Sequence, residues 1–142
     1  YESSFLDLFS GSGAVSIEAI SRGAKLVTLV EKSRESIKTI NANLNLISDE
    51  KSKADLRNGD VISFLQTTNE KFDIIFADPP YAYEKTNQII ELISKRNLLE
   101  DDGIMIIETD KNESLEIPSD MYIEKEKIYS ISKFSIIKIK TQ

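Results

Sequence analysis

The chain has 142 residues, 40% of them apolar and 30% charged, with a net charge of −6 and a pI near 4.8. A chain of this length forms one domain with one substantial core. It contains no Cys, His or Trp, which excludes a disulfide framework and a histidine-based triad and all but excludes a structural zinc site, so acid–base work falls to Asp, Glu, Lys, Tyr or the backbone.

No apolar run of about 18 residues predicts a membrane span. No signal-peptide pattern is visible, and the absence of Cys fits a reducing compartment. The acidity argues against a broad nucleic-acid footprint. It is uneven: residues 1–110 carry 12 Lys and Arg against 19 Asp and Glu, whereas residues 111–142 carry 6 against 5. Most of these charges read as solvated faces.

Strand-like and helix-like segments alternate. Residues 4–9, SFLDLF, form an apolar run ended by Ser-Gly-Ser-Gly. Residues 12–24 place Val15, Ile17, Ala19 and Ile20 at helical spacing, with Gly23 as a stop signal. Residues 25–31 read as a buried strand. Residues 33–47 open on a Ser cap and carry the stripe Ile37, Ile40, Leu44, Ile47. A weak strand at 54–60, a short helix at 61–68 and a strand at 72–77 follow. The spacing then predicts a helix over 84–99, with Ile89, Ile90, Ile93 and Leu98 inward, and a turn and strand over 101–109. A closing β pair spans 121–140, with Phe134, Ile136 and Ile139 expected opposite Lys133, Lys138 and Lys140. This order predicts an α/β fold with a mostly parallel sheet covered on both faces. Ligands of such sheets bind beyond the carboxyl ends of the strands.

The residues at those ends form a series. Asp7 and Phe9 precede Ser10-Gly11-Ser12-Gly13. The two glycines permit close backbone approach, and the next helix offers free N–H groups. Ser16 stands where a dinucleotide fingerprint has its third glycine, and an acid precedes the loop. The loop therefore suits a cationic or N–H-donating ligand better than a pyrophosphate. Glu31 ends the second strand, followed by Lys32, at the place where an acid accepts from ribose hydroxyls. Gly59-Asp60 ends the third and Asp78-Pro79-Pro80-Tyr81 the fourth. Singly, these read as a turn, a surface acid, a helix N-cap and a rigid loop. Together they follow the order of a nucleoside site.

At these residues the sequence resembles a class I S-adenosylmethionine-dependent methyltransferase. DLFSGSGAVSIEAISRGA, VEKS, NGD and FDIIFADPPY resemble the RsmD family, bacterial enzymes that methylate the exocyclic amine of a guanine in small-subunit (16S) ribosomal RNA. The resemblance implies a Rossmann-like class I methyltransferase fold with a seven-stranded sheet, helices on both faces and an antiparallel C-terminal strand. It implies a single domain over 1–142 that lacks an N-terminal segment of the family. It places S-adenosylmethionine against Asp7, Phe9, Gly11, Gly13, Glu31, Lys32, Asp60 and Val61. Glu31 would hold the ribose, Asp60 the adenine amine, and Asp7 the amino end. The closing strands depart from the family's Lys-x-Tyr-Gly, reading Lys127-Ile128-Tyr129-Ser130.

Asp78, Pro79 and Tyr81 are the expected catalytic residues, with Pro80 and Tyr81 against the substrate. The lone pair of an aromatic amine is delocalised into its ring. Two acceptors aimed at its N–H bonds, the Asp78 carboxylate and the Pro79 carbonyl, favour a nucleophilic geometry. Two prolines hold φ near −65° and pre-aim that carbonyl. Tyr81 offers a stacking face, or else packs under the loop. Ribosomal RNA, free or within a small-subunit particle, is the expected partner of a cytoplasmic, monomeric, metal-free enzyme. Lys85, Lys95, Arg96, Lys125, Lys127 and Lys133 are candidates for a local basic patch. The alternatives are amino-methylation of adenine in DNA or RNA or of protein glutamine, and a cofactor-binding module without activity.

Overall fold

A computed structural model describes residues 3–47 and 49–140; Tyr1 and Glu2, which lead into the first expected strand, lie outside these. The order is β1 (Ser4–Leu8), α1 (Ala14–Ser21), β2 (Leu26–Glu31), α2 (Arg34–Asn45), a 3-10 turn (Lys51–Lys53), β3 (Ala54–Asn58), α3 (Val61–Thr67), β4 (Phe72–Ala77), α4 (Thr86–Lys95), β5 (Leu99–Asp110), β6 (Met121–Tyr129) and β7 (Ser132–Ile139). The strands form one sheet in the order β3-β2-β1-β4-β5-β7-β6. Neighbours among β1–β5 pair in parallel, and β7 is antiparallel to both β5 and β6. The expected seven strands and their single antiparallel member are present.

Alternate strand residues feed two cores, as the period of two requires. Leu6, Leu8, Ile75, Ala77, Met105 and Ile107 pack on one face with α3 and α4. Phe5, Val27, Leu29, Ile74 and Phe76 pack on the other with α1 and α2. Helix α2 starts at Ser33, whose side chain accepts from the Ser36 N–H. Helix α4 holds by its apolar stripe instead: its N-cap position, Lys85, makes no side-chain cap, but Ile89, Ile90 and Ile93 are fully buried. Each such side chain contributes about 1.5–3 kcal/mol.

Three expectations are corrected. Phe9 leaves β1 with a positive φ of 61°. The turn expected at 101–103 lies inside β5, where pairing with β4 shifts between Phe72 and Ile74. There a Cβ on Gly103 would meet Glu100 O and Leu99 at 2.9 Å. The facing of β7 also differs. Phe134 and Ile136 share a face with Lys138, while Lys133 lies on the covered side with Ser135, Ile137 and Ile139, 9% exposed. Helices α1 and α2 pack on one face of β1 and β2, and α3 and α4 on the other face of β1 and β4. Over β5, β7 and β6 they cover one, among the described residues.

Candidate active site

Parallel strands bring their carboxyl ends to one edge, so Asp7, Glu31, Asp60 and Asp78 converge although up to 71 positions separate them in sequence. The loop after β1 organises the edge. Gly11 and Gly13 take φ values of 60° and 80°. Gly11 donates its N–H to Glu31 Oε1 at 2.8 Å, and Glu31 Oε2 accepts from the N–H groups of Lys32 and Ser33 at 3.2 and 3.0 Å. Three backbone donors thus fix this half-buried carboxylate. Nothing lies within 4 Å of a Cβ built on Gly11, so the loop borders open space.

Asp7 sits beneath the loop, 1% exposed, and accepts from Ser16 Oγ at 2.6 Å. Burial pushes its carboxyl up to about 6. The hydrogen bonds from Ser16 and Ser10 oppose that shift, and the charges of Glu31 and Asp78 add to it. The serine in place of a third glycine is therefore the partner of the acid that precedes the loop. Asp60 is the N-cap of α3, its side chain accepting from the Ser63 N–H at 3.1 Å. One carboxylate oxygen makes that bond, which leaves acceptor capacity on the other.

Two cavities meet at the edge. The first, about 300 Å³, is lined by Phe9, Glu31, Lys32, Asp60 and Val61. The second, about 430 Å³, is lined by Pro79, Tyr81, Glu108, Thr109, Asp110 and Glu113. Asp78, Pro80 and Tyr83 line both. Of the residues singled out in the sequence, Asp7, Gly11 and Gly13 line neither cavity. Gly11 is joined to the first cavity through its hydrogen bond to Glu31, and Asp7 holds the loop from below through Ser16.

The loop after β4 sorts its two tyrosines. Tyr83 N–H bonds Pro80 O at 3.1 Å, and Ala82 takes φ 61°, the positive value a type II turn needs at its third residue. The turn throws Tyr81 outward, 95% exposed, so it packs under nothing. It folds Tyr83 back against Phe9, edge to face with ring centroids 5.0 Å apart. The Tyr83 hydroxyl is buried without a hydrogen-bond partner. Its pKa is raised by burial and by the charge of Asp60. Asp78 remains accessible at the shared wall. Partial withdrawal from water, and then the charge of Glu108, raise its pKa.

Sequence reading missed Tyr83 and Glu108. The strand-end rule, carried on to β5, points to Glu108. Tyr83 depends on a turn that Ala82 does not advertise. Of the candidate basic patch, Arg96 is spent inside the fold, donating to the carbonyls of Leu65 and Thr68. Lys133 donates to Glu113 O.

Among the described residues, no group of three or more His, Cys, Asp or Glu is placed to hold a metal ion. No helix there is long and apolar enough to cross a membrane. Sheet order, glycine loop and acids at successive strand ends define a Rossmann-like class I methyltransferase.

Comparisons with known proteins narrow the class. Residues 1–138 match the family model described as Conserved hypothetical protein 95. Ribosomal RNA small subunit methyltransferase D of Haemophilus influenzae is 30% identical over 138 residues, covering 96% of this chain and 72% of the relative. A Streptococcus pyogenes structure described as a conserved hypothetical protein superposes with a TM-score of 0.90 at 36% identity, covering 98% of this chain and 87% of the other. A Haemophilus influenzae structure provisionally described as a methylase gives 0.88 at 31%, covering 97% and 87%. The chain belongs to the RsmD family.

Proposed function

We propose that the chain transfers the methyl group of S-adenosylmethionine to the exocyclic amine of a guanine in small-subunit ribosomal RNA. The observation that carries the guanine reading is the wall of the second cavity. It presents the carboxylates of Asp78, Glu108, Asp110 and Glu113 and no cationic side chain. A guanine offers contiguous donors there, its amine and the neighbouring ring N–H. An adenine would bring a ring-nitrogen lone pair against the same acceptors.

The residues of the first cavity fit the cofactor. Its apolar walls at Phe9 and Val61 and its acids at three strand ends match an adenosine's shape and donors. Glu31, held by three N–H groups, keeps about one of its four acceptor sites for a ribose hydroxyl. Asp60 serves both as N-cap and as acceptor for the adenine amine, with Val61 beside the ring and Lys32 at the rim. Asp7 acts on the amino end through the loop it supports. When bound, the cofactor supplies a methyl group on a cationic sulfur, so no strong base is needed.

The remaining steps belong to the chain. Asp78 accepts one amine N–H and disperses positive charge growing on the nitrogen. The Pro79 carbonyl accepts the other. Pro80 and Tyr83 separate the cavities and keep water from the line between them, while Tyr81 stacks on the extruded base. A cytoplasmic monomer acting on RNA within a small-subunit particle reconciles the net charge of −6 with an RNA substrate, because ribosomal proteins supply the cations this chain lacks.

The test incubates the protein with methyl-labelled S-adenosylmethionine and unmodified small subunits, digests the RNA and identifies the labelled nucleoside by mass spectrometry. Label in N2-methylguanosine is expected. Label in methyladenosine or in protein overturns the guanine assignment.

A further inference from the structure

The carboxylates that line the second cavity are not equivalent. In the proposed reaction Asp78 takes the amine. Glu108 bears on Asp78, whose pKa its charge raises. Asp110 turns Oδ1 back to the Asn112 N–H at 2.9 Å. Glu113 is held differently. Its N–H donates to Asp110 O at 3.0 Å, and its C=O accepts from Lys133 Nζ at 2.6 Å. Both backbone groups are fixed, and among the described residues the carboxylate is left to the cavity it lines. We propose that the end of β5 and its loop identify the base: Glu113 accepts the ring N–H of the guanine, Thr109 donates to the carbonyl beside it, and Lys133 positions Glu113 from behind. The inference rests on the guanine reading above and names the groups that discriminate.

Two observations carry it. The first is Lys133. It lies on the covered side of β7, paired with Thr109, and is 9% exposed. A buried ammonium is unfavourable unless its donors are met. One donor meets Glu113 O, and Glu126 Oε2 lies 3.6 Å from the same nitrogen. Glu126 comes to that side through a β-bulge. Ile123 pairs with Ile137, but Ile136 pairs with Lys125, so Glu124 is the extra residue. Bulges re-aim the side chains beyond them. Without the slip, Glu126 would stand opposite Phe134. With it, Glu126 stands opposite Ser135 and accepts from the Ser135 hydroxyl at 3.3 Å. Two strands thus hold one ammonium against one carbonyl of the cavity loop. An apolar side chain could fill that space, but it could not fix Glu113.

The second is Thr109. It lines the same cavity, is 8% exposed, and its hydroxyl is buried without a hydrogen-bond partner. Buried polar groups left so are rare in folded proteins. One step of χ1 between staggered wells moves a threonine hydroxyl to a new side, and a carbonyl in the cavity would give it the acceptor it lacks. A guanine presents in a row an amine, a ring N–H and a carbonyl. Asp78, Glu113 and Thr109 offer acceptor, acceptor and donor, and an extruded base is identified on that edge. An adenine would set a bare ring nitrogen against the Glu113 carboxylate.

The test uses the full-length protein and small subunits reconstituted with guanine or 2-aminopurine at the position wild type labels. 2-Aminopurine keeps the exocyclic amine but has a bare ring nitrogen and no carbonyl. Wild type should favour guanine in kcat/KM by about 10²-fold. Glu113→Gln, whose amide can donate to the bare nitrogen, should narrow that preference about tenfold. Thr109→Val should lower kcat/KM for guanine about tenfold and leave 2-aminopurine within about twofold. Lys133→Met should narrow the preference as Glu113→Gln does, with cofactor affinity within about twofold, and Lys133→Arg, which keeps a donor, should restore it. An unchanged preference in Glu113→Gln, or variants that lose activity on both bases alike, overturn the inference and leave guanine methylation standing. If wild type labels no guanine, both readings fall.

Discussion

Strands β1–β4 and strands β5–β7 build their surfaces by different rules. In the first group every strand runs the same way, so the residue after each strand arrives at the same edge, and α1 and α2 pack on one face and α3 and α4 on the other. In the second, β7 reverses direction, and among the described residues helices pack on one face only. The parallel half concentrates chemistry at a line. The antiparallel half spreads a surface.

That contrast can be broken by substitution. The largest effect should come from Asp78→Ala, at the wall both cavities share. Methyl transfer should fall by about 10²–10³ while the cofactor dissociation constant, measured by calorimetry, stays within about twofold. Loss of affinity as well would move Asp78 to the cofactor side. Next, Glu31→Ala removes the proposed ribose acceptor and unties Gly11. Affinity should fall by about 10²-fold, at about 1.5–3 kcal/mol per charge-assisted bond, with turnover nearly unchanged at saturating cofactor.

Asp7 gives a pH signature. Its carboxyl ionises near 3.8 in the unfolded chain and at about 6 in the fold. The folded state therefore holds the extra proton between those values. The stability this gives is complete below about pH 4 and is lost as pH rises to about 6, some 3 kcal/mol in all. Asp7→Asn does not titrate. In urea unfolding it should gain about 3 kcal/mol on wild type between pH 4 and pH 7, and a constant difference would refute the shift. The smallest effect concerns Tyr83→Phe. Deleting an unpartnered buried hydroxyl should raise stability by about 1 kcal/mol, read from the same curves.

The two halves also differed in how much their sequence revealed. Asp7, Glu31, Asp60 and Asp78 were legible because in a parallel sheet position along the chain maps onto position in space. Helices α2 and α4 were legible from apolar spacing. Tyr83 was not, since its place follows from a positive φ at an alanine, a residue that gives no such signal. Lys133 was misplaced for a related reason. Its alternation with Phe134 is real, but nothing local says which face of β7 is covered, and its buried ammonium is satisfied by Glu113 O, 20 residues away. The slip at Glu124 left no mark in a segment of alternating Glu and Lys, where either parity reads as polar.

That slip gives β6 the character of a text with two reading frames. One frame spells Glu124, Glu126, Ile128 and the other Lys125, Lys127, Tyr129, and the position of a single unpaired residue selects which of them lies beside Phe134 and Ile136. A strand written this way can exchange an acidic face for a basic one by moving its bulge, without altering a core side chain or the net charge.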